Sequence, residues 1–218
     1  MSRIIYLHGF ASGPTSKKAQ FFRERFTQLG IGLDIPDLAD GHFERLTITS
    51  QLQVIERTSG GQPVTLIGSS MGGYLAALFA ARHAEVQKLV LLAPAFCFSL
   101  RWPQTLGETA MEQWKRTGVL KVFHYGQGRT VELGYQLIDD GRRYEGYPQI
   151  RQPLLIFHGK NDSVVPMDLS IQFSSRHPQA RLHLLESDHE LLNMLDDMWL
   201  ETERFLFPEH APATSTRS

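Results

Sequence analysis

The stretch "VTLIGSSMGGYLAALFAARH", residues 64–83, constrains the fold of this chain more than any other segment. Its first residues are apolar and β-branched, which predicts a buried strand, and its last residues form a longer apolar run, which predicts a buried helix. The joint "GSSMGG" places three glycines and two serines where the two elements meet. A strand that enters a helix through so short a turn is typical of a sheet covered by helices.

Short apolar runs alternate with longer amphipathic runs along most of the chain, and this alternation predicts a doubly wound, mostly parallel α/β sheet with helices on both faces. Runs such as "KLVLLA" are apolar throughout, as strands buried on both faces are. We expect about six main strands, at residues 3–9, 32–37, 63–68, 86–95, 153–159 and 180–186, and helices at residues 16–30, 46–61, 70–83, 166–177 and 191–207.

Residues 98–150 interrupt this alternation between two predicted core strands. The pieces "FSLRW" and "EQW" bring three aromatic residues, and the run that follows predicts a hairpin turning at "GQG". We interpret the segment as a small insertion over the sheet, either a packed structural excursion or a cap that lines a pocket. The length of 218 residues predicts one domain, at residues 1–207, and the polar, proline-containing residues 208–218 predict a disordered tail.

Composition limits the classes of partner and compartment. The chain has 22 Lys and Arg against 23 Asp and Glu, so it offers no basic surface for nucleic acid. No apolar run is long enough for a membrane span, and the N-terminus turns polar too early for a signal peptide. Cys97 is the single cysteine, so no internal disulfide is expected, which fits a cytoplasmic location. The sequence leaves the oligomeric state open.

The joint fits the pattern G-x-S-x-G, with Ser70 at its centre. A sharp strand-to-helix turn strains the central residue and projects its side chain at the sheet edge. Side chains two positions to either side would collide, which explains Gly68 and Gly72, and Gly73 allows the helix to approach the sheet closely. Ser70 would then lie at a helix N-terminus, where backbone N–H groups are unpaired. A phosphate-binding loop fits poorly, because no Lys-Ser/Thr pair ends the motif.

A serine hydroxyl is a poor nucleophile without a base. His189, in "SDHELL", follows the last predicted strand, and Asp162, in "GKNDS", follows the strand before it. The chain order serine, aspartate, histidine is the order that accompanies a nucleophile elbow of this kind. We therefore predict Ser70, His189 and Asp162 as the catalytic residues.

Other residues compete for these roles. Asp162 could simply cap the helix that follows it. Asp188 and Glu190 flank His189, but adjacent side chains rarely face each other, so both rank below Asp162 as the acid. His8 ends the first predicted strand, and we interpret it as an imidazole that braces its loop by hydrogen bonds rather than as a base.

An oxyanion formed by attack of Ser70 needs two hydrogen-bond donors. One is the backbone N–H of Met71, directly after the serine, and the other is expected from the loop "HGFASGPTS", where the N–H of Phe10 is best placed. Aromatic side chains could line an apolar acyl pocket, and we predict three as substrate contacts: Phe96, Trp102 and Trp114.

The pieces "YLHGF", "GSSMGGYLA", "HGKNDSVVP" and "SDH" together resemble the α/β-hydrolase superfamily. More narrowly, "YLHGFASGPTSKKAQ" and "GSSMGGY" resemble small bacterial esterases of the YqiA/YcfP-like group, and "HGKNDSVVP" with "SDHEL" is similar to mitochondrial acyl thioesterases of the α/β-hydrolase-domain-10 type. The resemblance implies an α/β-hydrolase fold with a reduced sheet, the catalytic and oxyanion residues named above, and neither a metal nor an organic cofactor.

The leading hypothesis is a serine hydrolase that cleaves a small-molecule acyl ester or thioester through an acyl-enzyme intermediate. A peptidase or a carbon–carbon bond hydrolase could use the same three residues. A non-catalytic binding protein on a hydrolase scaffold is the alternative from another class, because a fold does not fix a function. Serine at position 70 argues against the dehalogenases and epoxide hydrolases of the superfamily, which carry aspartate there.

Overall fold

The computed structural model describes residues 2–210, and within them six strands form one sheet and two more form a separate hairpin. The strands are β1 (Arg3–Leu7), β2 (Leu33–Asp34), β3 (Val64–Ser69), β4 (Val86–Leu92), β5 (Val119–His124), β6 (Arg129–Gly134), β7 (Leu154–Gly159) and β8 (Ala180–Leu185). The helices are α1 (Lys17–Gln28), α2 (Ile48–Ser59), α3 (Met71–Ala80), α4 (Phe98–Leu106), α5 (Glu108–Thr117), α6 (Gln136–Gly141), α7 (Asp168–Ser175) and α8 (Leu195–Leu206).

The main sheet has the order β2–β1–β3–β4–β7–β8, and all of its neighbouring strands run parallel. This confirms the predicted parallel sheet of six strands. Parallel neighbours need crossover connections, which the helices supply. The register aligns Leu7 with Gly68 and Ser69 with Leu92, so the segments that follow these strands leave the sheet at one edge. That edge is where open α/β sheets place their ligands.

Alternate residues of β1, β3, β4 and β7 enter two different hydrophobic clusters. On β1, Ile5 and Leu7 belong to one cluster and Ile4 and Tyr6 to the other, as the two-residue period of a strand requires. Helices α1 and α8 cover the second cluster, while α2, α3 and α7 cover the first. The prediction of helices on both faces is therefore confirmed.

The segment between β4 and β7 contains α4, α5, the β5–β6 hairpin and α6. The hairpin turns through "GQG" as predicted, with Gly128 at a φ of 64°. Its tip contacts the loop that follows β1, where the Tyr125 N–H donates to the Ala11 carbonyl at 2.7 Å. The Trp102 ring of α4 packs on Phe10 in the same loop, with 4.9 Å between centroids. The insertion thus lies against the loop predicted to supply an oxyanion donor.

Some predicted element boundaries differ from the observed ones. The helix predicted at 70–83 begins at Met71, because Ser70 takes a non-helical conformation. It ends at Ala80. Residues Pro208–His210 form a 3-10 turn, so helical structure continues three residues into the predicted tail. The rest of that tail, residues 211–218, lies outside the described residues. None of the helices found between residues 2 and 210 is long and apolar enough to cross a membrane.

Candidate active site

Ser70 lies between β3 and α3 with a φ of 53° and a ψ of −115°, a region that residues other than glycine rarely occupy. Hydrogen bonds hold it there. Its N–H donates to the Leu92 carbonyl at 2.8 Å, and its carbonyl accepts from Gly73 at 3.0 Å and Tyr74 at 3.1 Å. Such strain persists only where the surroundings determine the conformation, and it is common at active sites.

The glycines of the joint have the steric role predicted for them. A Cβ atom on Gly68 would lie 2.7 Å from Gly73 Cα, and one on Gly72 would lie 2.7 Å from the His8 carbonyl oxygen. Real Cβ atoms do not approach other atoms so closely. The turn can therefore bring α3 against the ends of β1 and β3 only without side chains at these positions.

Gly72→Ala is expected to lower the free energy of unfolding by about 3 kcal/mol or more, because the added methyl group meets backbone atoms that cannot move cheaply. Gly32→Ala is the matched control, since a Cβ there meets nothing within 4 Å. Urea unfolding of both variants measures the difference. Equal midpoints for the two variants would contradict the steric account of the joint.

The three residues predicted as catalytic form one chain of hydrogen bonds. His189 Nε2 lies 3.1 Å from Ser70 Oγ, and His189 Nδ1 lies 2.7 Å from Asp162 Oδ2. The Asp162 side chain is fully buried, and the His189 side chain is 18% exposed. The structure thus brings together side chains that are 119 and 27 residues apart in sequence.

The Asp162 carboxylate is fully engaged. Its Oδ1 accepts from the N–H groups of Val164 at 2.8 Å and Val165 at 2.7 Å, so it also closes the turn before α7, although it does not cap that helix. Its Oδ2 lies 3.2 Å from His158 Nε2, besides its bond with His189. Burial opposes ionisation, but hydrogen bonds from His158, His189 and Val165 outweigh it and hold the pKa of Asp162 well below its ordinary value.

The rival acid Asp188 has a different task. Its Oδ1 accepts from the N–H groups of Glu190 at 2.9 Å and Leu191 at 3.3 Å, which forms a turn around His189. The carboxylate therefore faces backbone, and the imidazole faces Asp162. This arrangement agrees with the ranking of the two acids from the sequence.

His8 makes the bracing contacts that we expected from its position. Its Nε2 accepts from the Leu38 N–H at 3.2 Å, which leaves Nδ1 as the donor to the Gly9 carbonyl at 3.0 Å. Burial lowers the pKa of His8, with the Gly9 carbonyl opposing that shift. His8 is thus a neutral ring that joins the loop after β1 to the segment after β2.

The two predicted oxyanion donors have no other acceptor. Within residues 2–210, neither the N–H of Phe10 nor that of Met71 donates to another group. The loop before Phe10 adjoins the serine, since a Cβ on Gly9 would lie 3.5 Å from Ser70 Cβ. Met71 is the first residue of α3, where the helix dipole favours negative charge. These free donors can stabilise an oxygen anion that forms beside Ser70.

Of the aromatic residues predicted to contact substrate, Trp102 alone is accessible. Phe96 is fully buried and stacks on Phe173 with 4.1 Å between centroids. Trp114 is 1% exposed, and its indole N–H donates to the Leu133 carbonyl at 3.0 Å. A ring closed off from solvent cannot touch a substrate, so the structure corrects the prediction that Phe96 and Trp114 contact the substrate. For Trp102, which is partly exposed, substrate contact stays a prediction.

His158 belongs to the site, although sequence reasoning gave it no role. The ring is fully buried, Nδ1 lies 2.7 Å from the Ser170 hydroxyl, and Nε2 lies 2.8 Å from the Val165 carbonyl. Nε2 is therefore the donor, and it also approaches Asp162. The histidine directly before the glycine that ends β7 was the available signal. Within residues 2–210, no group of three or more His, Cys, Asp or Glu residues is arranged to hold a metal ion.

Known proteins are similar to this chain along most of its length. Residues 3–203 match the model of a family described as "Uncharacterised protein family (UPF0227)". The chain is 27% identical over 221 residues to the AB hydrolase superfamily protein YisY of Bacillus subtilis (strain 168). The alignment covers 82% of this chain and 81% of that protein. It is 24% identical over 212 residues to the mitochondrial palmitoyl-protein thioesterase ABHD10 of Bos taurus, covering 88% of this chain and 68% of that protein.

A solved structure shows the same fold. Alpha/beta hydrolase domain-containing protein 10 from mouse matches with a TM-score of 0.78 at 21% identity, covering 95% of this chain and 90% of that one. The predicted α/β-hydrolase fold is therefore confirmed. The curated relatives identify the chain as a hydrolase of the α/β superfamily, with relatives of the esterase and thioesterase type.

Proposed function

The chain belongs to the UPF0227 family, and we propose that it is a serine hydrolase that cleaves carboxylic esters or thioesters through an acyl-enzyme intermediate. The observation that carries the proposal is the chain of hydrogen bonds from Asp162 through His189 to Ser70. It contains a nucleophile, a base within reach of its proton and a carboxylate that orients the base.

Acylation uses each of these groups. His189 Nε2 accepts the hydroxyl proton while Ser70 Oγ attacks the acyl carbon. The charged Asp162 carboxylate accepts from Nδ1–H, which keeps the lone pair of the resting imidazole on Nε2 and stabilises the imidazolium that forms. The N–H groups of Phe10 and Met71 stabilise the negative carbonyl oxygen of the tetrahedral intermediate.

Acylation ends when His189 gives its proton to the leaving alcohol or thiol, and the acyl group stays on Ser70 Oγ. In deacylation a water molecule loses a proton to His189 and attacks the acyl carbon. The bond between that carbon and Ser70 Oγ then breaks, His189 returns the proton to Oγ, and the acid is released. Thioesters and esters are favoured as substrates because one relative is named a palmitoyl-protein thioesterase and another a pimeloyl-[acyl-carrier protein] methyl ester esterase.

A substrate series tests the proposal. The protein is assayed with p-nitrophenyl esters from acetate to palmitate, with palmitoyl-CoA as the thioester, and with a peptide p-nitroanilide. We expect hydrolysis of the esters or the thioester that Ser70→Ala abolishes. Turnover of the anilide alone would favour a peptidase, and turnover of none would favour a binding protein.

Trp102→Ala is expected to change substrate selectivity, whereas Trp114→Ala is expected to lower stability. Trp102 is partly exposed beside Phe10, so its loss should change the ratio of kcat/KM between long and short acyl esters about 10-fold. Trp114 lies in the core of the insertion, so its loss should lower stability by about 3–5 kcal/mol. Ester kinetics and thermal melting of both variants measure this. Unchanged selectivity in Trp102→Ala would make the insertion a purely structural element.

A further inference from the structure

Lys18 connects helix α1 to the loop that carries His189. It is the second residue of α1, and its Nζ donates to the Glu190 carbonyl at 2.9 Å and to the His189 carbonyl at 3.5 Å. Both acceptors lie in the short stretch that presents the imidazole. The contact joins residues that are 171 and 172 apart in sequence.

The position of this lysine is unfavourable for α1 itself. A cation in the first turn of a helix is repelled by the helix dipole, and α1 has no acidic residue there to compensate. The side chain is also partly buried, which costs free energy for a charged group without partners. The neighbouring Lys17 is exposed and makes none of these contacts. The hydrogen bonds of Lys18 with the His189 loop therefore offset the free-energy cost of placing its charge at this position.

Other contacts restrain the same loop, and they act on different groups from those that Lys18 binds. Leu191 takes a left-handed conformation with a φ of 58°, which a leucine adopts only when its surroundings impose it. Asp188 fixes the N–H groups on one side of the turn. Lys18 binds the carbonyl oxygens, which the Asp188 carboxylate cannot do. The two side chains thus hold complementary backbone groups of the same turn.

We propose that Lys18 is a positioning residue that holds the His189 loop so that the imidazole stays between Asp162 and Ser70. The inference rests on the proposed function, since it assigns Lys18 a part in the same reaction without contact with the substrate. A displacement of about 1 Å at a catalytic group is enough to cost about 100-fold in rate. The ammonium is therefore a determinant of kcat.

The protonation of Lys18 adds a dependence on pH. Burial lowers the pKa of Lys18 to about 8, and the facing carboxylates of Glu190, Asp162 and Asp188 oppose that shift. The other titratable side chains between β8 and Leu191 are His189 and Glu186, and Glu186 pairs with Lys160. The ammonium is charged below that pH and donates charge-assisted hydrogen bonds, which are stronger than neutral ones. Activity should accordingly fall as the pH rises through about 8.

The test compares Lys18→Met, Lys18→Arg and the matched control Lys17→Met. kcat/KM for p-nitrophenyl butyrate is measured from about pH 6 to about pH 10, with Ser70→Ala subtracted as the blank for spontaneous hydrolysis. We expect Lys18→Met to be about 10- to 100-fold less active at neutral pH and to lack the alkaline decline. Lys18→Arg should keep most of the activity and lose the decline, because a guanidinium stays charged. Lys17→Met should match the wild type.

The possible results distinguish failure of the role proposed for Lys18 from failure of the proposed hydrolase function. If Lys18→Met has the activity and alkaline decline of Lys17→Met, Lys18 does not position the loop, while Ser70-dependent hydrolysis still stands. If the wild type hydrolyses the ester no faster than Ser70→Ala, both proposals fail. Thermal melting identifies a misfolded Lys18→Met protein, in which case the profile of Lys18→Arg decides: a decline at the wild-type pH overturns the inference.

Discussion

Ser70→Ala is expected to lower kcat by about 10⁴- to 10⁶-fold, since the loss of a nucleophile removes the covalent route and leaves only binding and the oxyanion donors. The fold should persist, because the hydrogen bonds that hold residue 70 use its backbone, and alanine retains them. The kinetics are measured with the best ester or thioester of the substrate series, together with circular dichroism of the variant.

Ser69→Ala provides the control. Ser69 is the other serine of the joint, but it ends β3 and is buried, so its hydroxyl cannot meet a substrate. We expect its kcat within a few-fold of the wild type. If Ser69→Ala lost activity and Ser70→Ala kept it, Ser69 and not Ser70 would be the nucleophile.

Asp162→Asn is expected to lower kcat by about 10⁴-fold. Asp162 Oδ1 accepts two backbone N–H groups, so an asparagine would keep its carbonyl oxygen there and turn its NH₂ group toward His189. The imidazole would then have to accept at Nδ1 and carry its proton on Nε2, where it can no longer take the proton of Ser70. The change removes no backbone partner of the turn, so the variant should fold.

Asp188→Asn is the matched control, because the amide oxygen of asparagine can still accept from the N–H groups of Glu190 and Leu191. We expect its kcat within about 10-fold of the wild type. If Asp188→Asn were the more damaging change, the acid would have to be moved from Asp162 to Asp188.

The ionisation of Asp162 also affects stability. Its pKa lies well below its ordinary value, which is about 3.9, so the folded protein gains stability from the charged carboxylate at all pH values above that. The contribution is lost only as the pH falls through the lowered pKa of the folded state. Within the neutral range, Asp162 therefore stays charged and imposes no pH dependence of its own on turnover.

The sheet and the joint could be predicted because their signals are local. Apolar runs such as residues 86–95 identify buried parallel strands by composition alone, and the spacing of Gly68, Ser70 and Gly72 follows from the sterics of one turn. The order of Asp162 and His189 after two strands was enough to expect them near Ser70, since parallel strands end at one edge of the sheet.

Other parts of the site depend on contacts that no local pattern contains. Lys18 and the loop of His189 meet because α1 packs against α8, the helix that follows this loop, and the sequence shows just two adjacent lysines. Trp114 could be recognised as apolar, but its burial follows from the way the helices of the insertion pack together. The sequence predicts that an aromatic side chain is shielded from water. It does not distinguish a side chain buried in the core from one that lines a substrate pocket.

Labelling with a fluorophosphonate probe tests the central claim most directly, because the probe phosphonylates only a serine that a base has activated. The protein is treated with the probe, its intact mass is measured, and the modified peptide is sequenced by mass spectrometry. We predict one adduct per chain, located on Ser70. It forms in the wild type and in Asp188→Asn, is absent from Ser70→Ala and forms much more slowly in Asp162→Asn. An unlabelled wild type, or an adduct on any other residue, would contradict it.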